Sequence, residues 1–442
     1  MRYFKSSAKT ALIFVTIVIL TILSQQVIAN IFIRDIDLNS ELCVGYTLIS
    51  PREDRVPFLI DMDGKIIHNY TIGAYPAKML CNGTIIGSRV INEKLDNFGR
   101  DGTLYKFVSQ ENWEGEITWE FCNWSDGWAR QHHDLHRVGN QVYYSPAHKA
   151  NIKGNTLILA RTDKTINKSI SLRPLQDGVI YEIDWQGNLT GFEWHASEHY
   201  DELGFDRISR IGIFLFPAGQ GWLHLNTCSE LGENKWYEEG YEEFNPSNII
   251  TCSRHANFII IINRTTGKIE WKLGPNYRIG LDKKTGLIIG PHHAHIIPKG
   301  LPGEGNILIF DNGGFAGYGL IGGLFNFPFR YMRFFSRILE IDPITKDIVW
   351  EYISKGRDDP RFYSTVISSV QRLANGNTLI TEGTTGRIFE INKQKEILWE
   401  YNYKGNESSV RNNWVYRAYR VPPEWIPGNP SAYQNWSEVY GE

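Results

Sequence analysis

A β-hairpin that recurs six times constrains this chain more than any other feature. Each copy is an alternating apolar strand, a polar turn and a second strand carrying an aromatic side chain. The copies are Phe58–His68, Tyr105–Trp119, Tyr181–Trp194, Ile259–Trp271, Ile338–Trp350 and Ile388–Trp399. In four of them a Trp stands four residues after the turn residue: Gly115/Trp119, Gly267/Trp271, Lys346/Trp350 and Lys395/Trp399. His68 takes that place after Gly64, and the third copy is stretched to Gly187/Trp194. Gly or another polar residue suits the turn, and alternation suits a strand with one buried face. The turn residues are spaced 51, 72, 80, 79 and 49 apart.

A second motif, an Asn/Gly turn opening an apolar strand, precedes several hairpins. It reads Asn82-Gly83, Gly154-Asn155, Gly305-Asn306 and Asn375-Gly376-Asn377, each followed by Thr, Ile or Leu. Each unit is therefore four antiparallel strands. One such sheet cannot cover both of its own faces, so repeated sheets stack radially on one another. The sequence predicts an all-β, six-bladed β-propeller, with insertions near 120–150, 196–250 and 314–336. The strand Trp414–Val421 is expected to close the first blade beside Gly45–Ser50. We place the propeller at 30–425 and read 426–442 as a C-terminal tail, with the Pro-rich stretch after Pro422 as a rigid extended coat. No amphipathic helix alternates with the strands, which argues against a parallel sheet.

Composition agrees: 14 Trp, 22 Tyr, 22 Phe and 41 Gly against 4 Met favour strands and tight turns. The net charge of −3 offers no positive excess for a nucleic-acid partner. At the N-terminus, Arg2, Lys5 and Lys9 precede an apolar run from Ala11 to Leu23. With Val27 and Ala29 beyond it, this predicts a signal peptide over 1–29; the alternative is an uncleaved membrane tether running to Ile33. Either places the body outside the cytoplasm, periplasmic or extracellular. Asn69, Asn82, Asn123, Asn167, Asn188, Asn263, Asn406 and Asn435 open glycosylation triplets. The five Cys lack metal spacing and read as small buried residues, with a Cys228–Cys252 pair as the alternative.

In a propeller the innermost strand of each blade lines the central channel. Here those strands are the segments before the Asn/Gly turns: Gln131–Arg137, Gly221–Thr227, Pro291–His295, Ser368–Arg372 and Tyr416–Ala418. Most of the chain's twelve His fall in the first three. Period two places His293 with His295, and His132 with Asp134 and His136. A His-lined axial pocket follows. No carboxylate or Cys completes a shell at matching spacing, so no metal site is expected.

Several runs carry a family resemblance. They are Gln131–His136, Pro291–His295 leading to Phe310-Asp311-Asn312-Gly313, Ser336–Asp342, Arg372–Gly383 and Tyr416–Ala418. Together, over about Gly45 to Trp425, the chain resembles the exported arylsulfotransferases. That resemblance implies a six-bladed propeller that needs no cofactor and takes an aryl sulfate and a phenol as its small-molecule partners. The sulfuryl group would pass through a sulfated histidine, without the nucleotide sulfate donor of cytosolic sulfotransferases. His224 and His293 resemble active-site His of the family. The family's nucleophilic His sits in the last blade, where this chain has Glu382–Arg387. His293, His295 or His133 is then left to act as nucleophile, or the transfer step is absent. The family's sulfate-holding Arg is also missing after Gly313, so Arg337, Arg372 or Arg417 is the candidate replacement. Trp222 and Tyr363 are candidates to hold the aryl ring. Two other readings stand beside this one. Arg264–Trp271 is similar to a repeat of quinoprotein dehydrogenases, which are eight-bladed and bind Ca²⁺; and a non-enzymatic propeller would bind a ligand or partner.

Overall fold

The computed structural model describes residues 42–441 except 53–55, 90–106, 123, 126–127, 130, 166, 220, 320–328, 355–360 and 406–411. The signal peptide or tether, and the Asn123 and Asn406 triplets, lie outside the described residues. No helix among those described is long and apolar enough to cross a membrane.

Six four-stranded antiparallel sheets form a six-bladed β-propeller. Blade 1 is built from Tyr46–Pro51, Phe58–Ile60, Ile66–Asn69 and the C-terminal strand Val415–Val421, its innermost member. Thr47 pairs with Arg420 and Ile49 with Ala418, so the closing strand lies where the sequence placed it. The inner strands of blades 2 to 6 are Gly73–Met79, Gln131–Arg137, Ser229–Glu230, Pro291–Ile296 and Ser369–Arg372. Blade 4 corrects the expectation. Its inner strand is only two residues long, and Gly221–Thr227, just before it in the chain, meets the second strand Ile249–Ser253 through a single bridge, Leu225 to Ser253.

Stacking buries both faces of the middle strands. Along Phe258–Ile262, Phe258, Ile260 and Ile262 pack towards blade 3 beside Leu157 and Ile180. Ile259 and Ile261 pack the other way, beside Ile309 and Leu339 of blade 5. The recurrent Trp explains itself here. Each indole N–H donates to a backbone carbonyl in the next blade's turn: Trp119 to Trp185, Trp194 to Gly267, Trp271 to Pro343, Trp350 to Lys393 and Trp399 to Met62. His68 substitutes by stacking on Trp113 at 3.9 Å between ring centroids. The Trp repeat is thus a strap between blades, and six sheets rather than eight remove the quinoprotein parallel.

The tail is not an extended coat. Pro423–Trp425 is a short 3₁₀ turn, and Trp436–Val439 is one helical turn that seats Trp436 in a buried pocket, its Nε1 donating to the Val44 carbonyl. Burying a large indole outweighs the stiffness of the Pro-rich stretch. None of the five Cys forms a disulfide; Cys43, Cys228 and Cys252 are buried, Cys81 is half-buried and Cys122 is exposed. Asn69, Asn82 and Asn188 are exposed, while Asn167, Asn263 and Asn435 are half-buried.

Candidate active site

The chemistry collects where the inner strands begin, at the end opposite the Asn/Gly turns. Alternation breaks there. In blade 3 the ladder pairs Gln131 with Ala160 and then Leu135 with Ile158; in blade 5 it pairs His292 with Phe310 and then His295 with Leu308. Each slip leaves extra residues on the inner strand, and a left-handed residue absorbs the turn. In blades 3, 4 and 5 that residue is a His: His133 has φ 59°, His224 φ 51° and His293 φ 51°. Non-Gly residues rarely adopt this conformation, and where they do the position often serves function.

The slips gather five imidazoles. The ring centroids of His133 and His224 are 4.6 Å apart, and those of His224 and His255 4.5 Å. His132 meets His133 through their Nδ1 atoms at 2.7 Å. Burial pushes the His132, His133, His224 and His255 rings well below their usual range, and the nearby Arg161 and Arg254 guanidinium groups add to this. The Phe329 ring lies 4.8 Å from His255 and gives the group an apolar wall.

His292 completes the set, and its tautomer is fixed. The Asn312 amide donates to the Ser364 and Ile367 carbonyls, which turns its Oδ1 towards His292 Nδ1 at 2.7 Å. The proton therefore sits on Nδ1, and Nε2 carries the lone pair. Burial, then the charge of Arg254, holds His292 at about 3, so it is neutral at physiological pH. The neighbouring Asp311 accepts from Ile289 N–H and pairs with both Arg333 and Arg337. The Phe310–Gly313 run thus orients one imidazole and anchors its strand.

Below these rings lies a buried ionic knot. Asp134 holds Arg417 at 2.9 and 3.2 Å and Lys78 at 2.8 Å, joining blades 3, 1 and 2. Burial alone would raise the Asp134 carboxyl, but Arg417 and Lys78 outweigh it and hold it below the usual range. His293 and His295 belong to this lower layer, 4.6 Å apart as their spacing predicted. His293 Nδ1–H donates to the Val370 carbonyl, leaving Nε2 to accept from Tyr419 O–H at 3.2 Å. His295 Nδ1–H donates to the His293 carbonyl, and its Nε2 accepts from Tyr143 O–H at 3.0 Å. Both rings are fully engaged within the protein.

The structure therefore divides the residues nominated from sequence. His133 and His224 come together; Arg417, taken up by Asp134, lies one layer down with His293 and His295. Arg337 is taken up by Asp311. Arg372 pairs with Glu340 and covers Trp350 at the far end of its strand. Trp222 is a core residue donating to Asp177 Oδ1, packed on Tyr200 and Phe205. Tyr363 lies under Arg361, with its backbone N–H on Glu382. His136 does not share a face with His132, because the slip separates them; its ring is 3.6 Å from Glu230. Sequence reasoning missed Lys78, although its strand precedes Asn82-Gly83 and the repeat rule covers it. Arg161, Arg254 and His255 come from second strands and their turns, where no inner-strand rule looks. Among the described residues no group of three His, Cys, Asp or Glu side chains is arranged to hold a metal ion.

The Arylsulfotransferase (ASST) family model matches residues 39–420. No curated protein matches the chain. Among solved structures, it is similar to a protein of unknown function from Bacteroides caccae, with 11% identity, TM-score 0.47, and 85% of this chain and 98% of that one covered. Virginiamycin B lyase from Staphylococcus aureus has 12% identity and TM-score 0.33 over 82% and 85% of the chains. Apo AztD from Citrobacter koseri has 10% and 0.37 over 85% and 97%. Likeness at this level carries no functional argument.

Proposed function

The chain belongs to the arylsulfotransferase family, and from that premise we propose that it moves a sulfuryl group from an aryl sulfate to a phenol through a sulfated histidine, with no nucleotide donor. The observation that carries the reading is His292, whose Nδ1–H is committed to Asn312 and whose neutral Nε2 stands among His133, His255 and Arg254. In the first half-reaction the Nε2 lone pair attacks sulfur; the N–S bond forms as the bond from sulfur to the aryl oxygen breaks. The departing aryl oxide takes a proton from His133 or His224. Burial favours the neutral form of both rings, and the sulfate anion of a bound donor supplies the charge that lets one of them carry that proton. In the second half the acceptor's phenol oxygen attacks sulfur, the N–S bond breaks, and the phenol proton returns to the same imidazole. By analogy with phosphoryl transfer, negative charge rests on the equatorial oxygens, where Arg161 and Arg254 stabilise it.

The test is a chromogenic aryl sulfate with a phenol acceptor, read by turnover and by intact mass. Wild-type protein should turn over only with acceptor present and gain a sulfuryl group without it. His292→Ala should show no adduct. His224→Ala should keep the adduct but transfer about 10²–10⁴-fold more slowly. A folded protein that neither turns over nor gains mass with several donors would defeat the reading.

A further inference from the structure

A radial crevice of ≈ 300 Å³ runs between blades 2 and 3, away from the axial histidines. Its outer wall is Phe121 and Tyr181, with ring centroids 6.4 Å apart, and Leu189 stands at its rim, 63% exposed. Val179 continues the apolar lining inward. At its inner end the crevice reaches Arg161, a buried side chain on the second strand of blade 3. The same guanidinium charge acts on His132, His133, His224 and His255. One cation thus borders both the crevice and the imidazole group. Thr162, Glu193 and His195 also line the crevice, the Glu193 carboxylate lying 3.0 Å from the His195 ring; an aromatic-walled slot ending on a cation fits a flat aromatic ring system with an anionic end, and the volume exceeds what a single ring needs.

We propose that this crevice is an aryl subsite for substrates of two or more fused rings, seating the rings on Phe121, Tyr181 and Leu189 with the anionic end at Arg161. The proposal rests on the sulfotransferase reading for its biological ligand, but its binding can be tested without transfer. The probe is 2-naphthalenesulfonate, which has no ester bond to break, titrated into the full chain by calorimetry beside benzenesulfonate. Leu189→Glu puts a negative charge on an exposed rim position, and Phe121→Ala removes half of the aromatic wall. Each should weaken 2-naphthalenesulfonate about tenfold or more while leaving benzenesulfonate unchanged. His292→Ala should leave the two-ring probe bound. Absence of two-ring binding overturns the subsite, as does binding that ignores both crevice changes or is lost with His292→Ala. Crevice-dependent binding by a chain that transfers no sulfuryl group would keep the subsite and sink only the transfer reading.

Discussion

The two ends of the inner strands make opposite use of the same repeat. At the turn end, Arg137, Arg372 and Arg420 occupy equivalent places. Each lies over the Trp of the preceding blade, at 4.4, 5.6 and 4.7 Å from Trp119, Trp350 and Trp399 respectively. Each also bonds the third strand of that blade, through Gln110, Glu340 and Glu390. Asn155, Asn306 and Asn377 of the turns repeat a bond to Glu182, Glu340 and Glu390. Here the Arg side chains pair across blades and the Asn side chains within them, although Arg137 Nε, Arg372 Nε and Arg420 Nη2 keep no hydrogen-bond partner. At the other end the ladder slips, His residues take left-handed backbone, and buried ring nitrogens such as His132 Nε2 and His224 Nδ1 have no hydrogen-bond partner. Each departure costs about 1–3 kcal/mol. A propeller can carry that cost because the straps and stacked faces below are satisfied. The lesson is that stability and chemistry sit a few residues apart on one strand.

Three substitutions would break or sharpen this contrast. Asp134→Ala removes the carboxylate that pairs with Arg417 and Lys78 and strands both cations in the interior. Urea unfolding should show a loss of about 3–5 kcal/mol, or failure to fold. A loss below about 1 kcal/mol would mean that water reaches the knot and that it does not join the blades. Arg372→Met keeps the packing stem but drops the Glu340 pair at the turn end. It should cost about 1–3 kcal/mol while leaving sulfuryl transfer unchanged. A transfer defect at normal stability would return Arg372 to the site. His133→Gly should have the smallest effect on stability and the opposite sign. Gly accepts φ 59° without strain, so the unfolding free energy should rise by about 1 kcal/mol or stay level while transfer collapses. A destabilised His133→Gly would show that the imidazole pairing with His132 outweighs the backbone strain.

Much of the fold was legible because its signals are local. Period-two alternation, Asn/Gly turns and a Trp four residues after the turn each act within a few residues, and repetition turned them into blades. The same rule placed His133, His224 and Arg417 on the segments that line the channel. It failed where the ladder slips: from Gln131 to Leu135 the inner strand of blade 3 carries two residues more than its partner and turns through left-handed His133, so alternation does not carry across. That is why His136 parted from His132. Arg372 was misread for another reason: its equivalence to Arg137 and Arg420 appears only once neighbouring blades are stacked.

The sequence by itself determined the blade count, the closing strand and the strip of inner strands that carries the histidines. The tertiary structure alone decided which imidazoles meet, that His293 and His295 are saturated by Val370, Tyr419 and Tyr143, and that Arg161, Arg254 and His255 join from second strands. The physical reason is range. Turns and alternation are set by neighbours in the chain, whereas a buried ring's tautomer and charge are set by groups far along the chain, such as Asn312 pinned by Ser364 and Ile367.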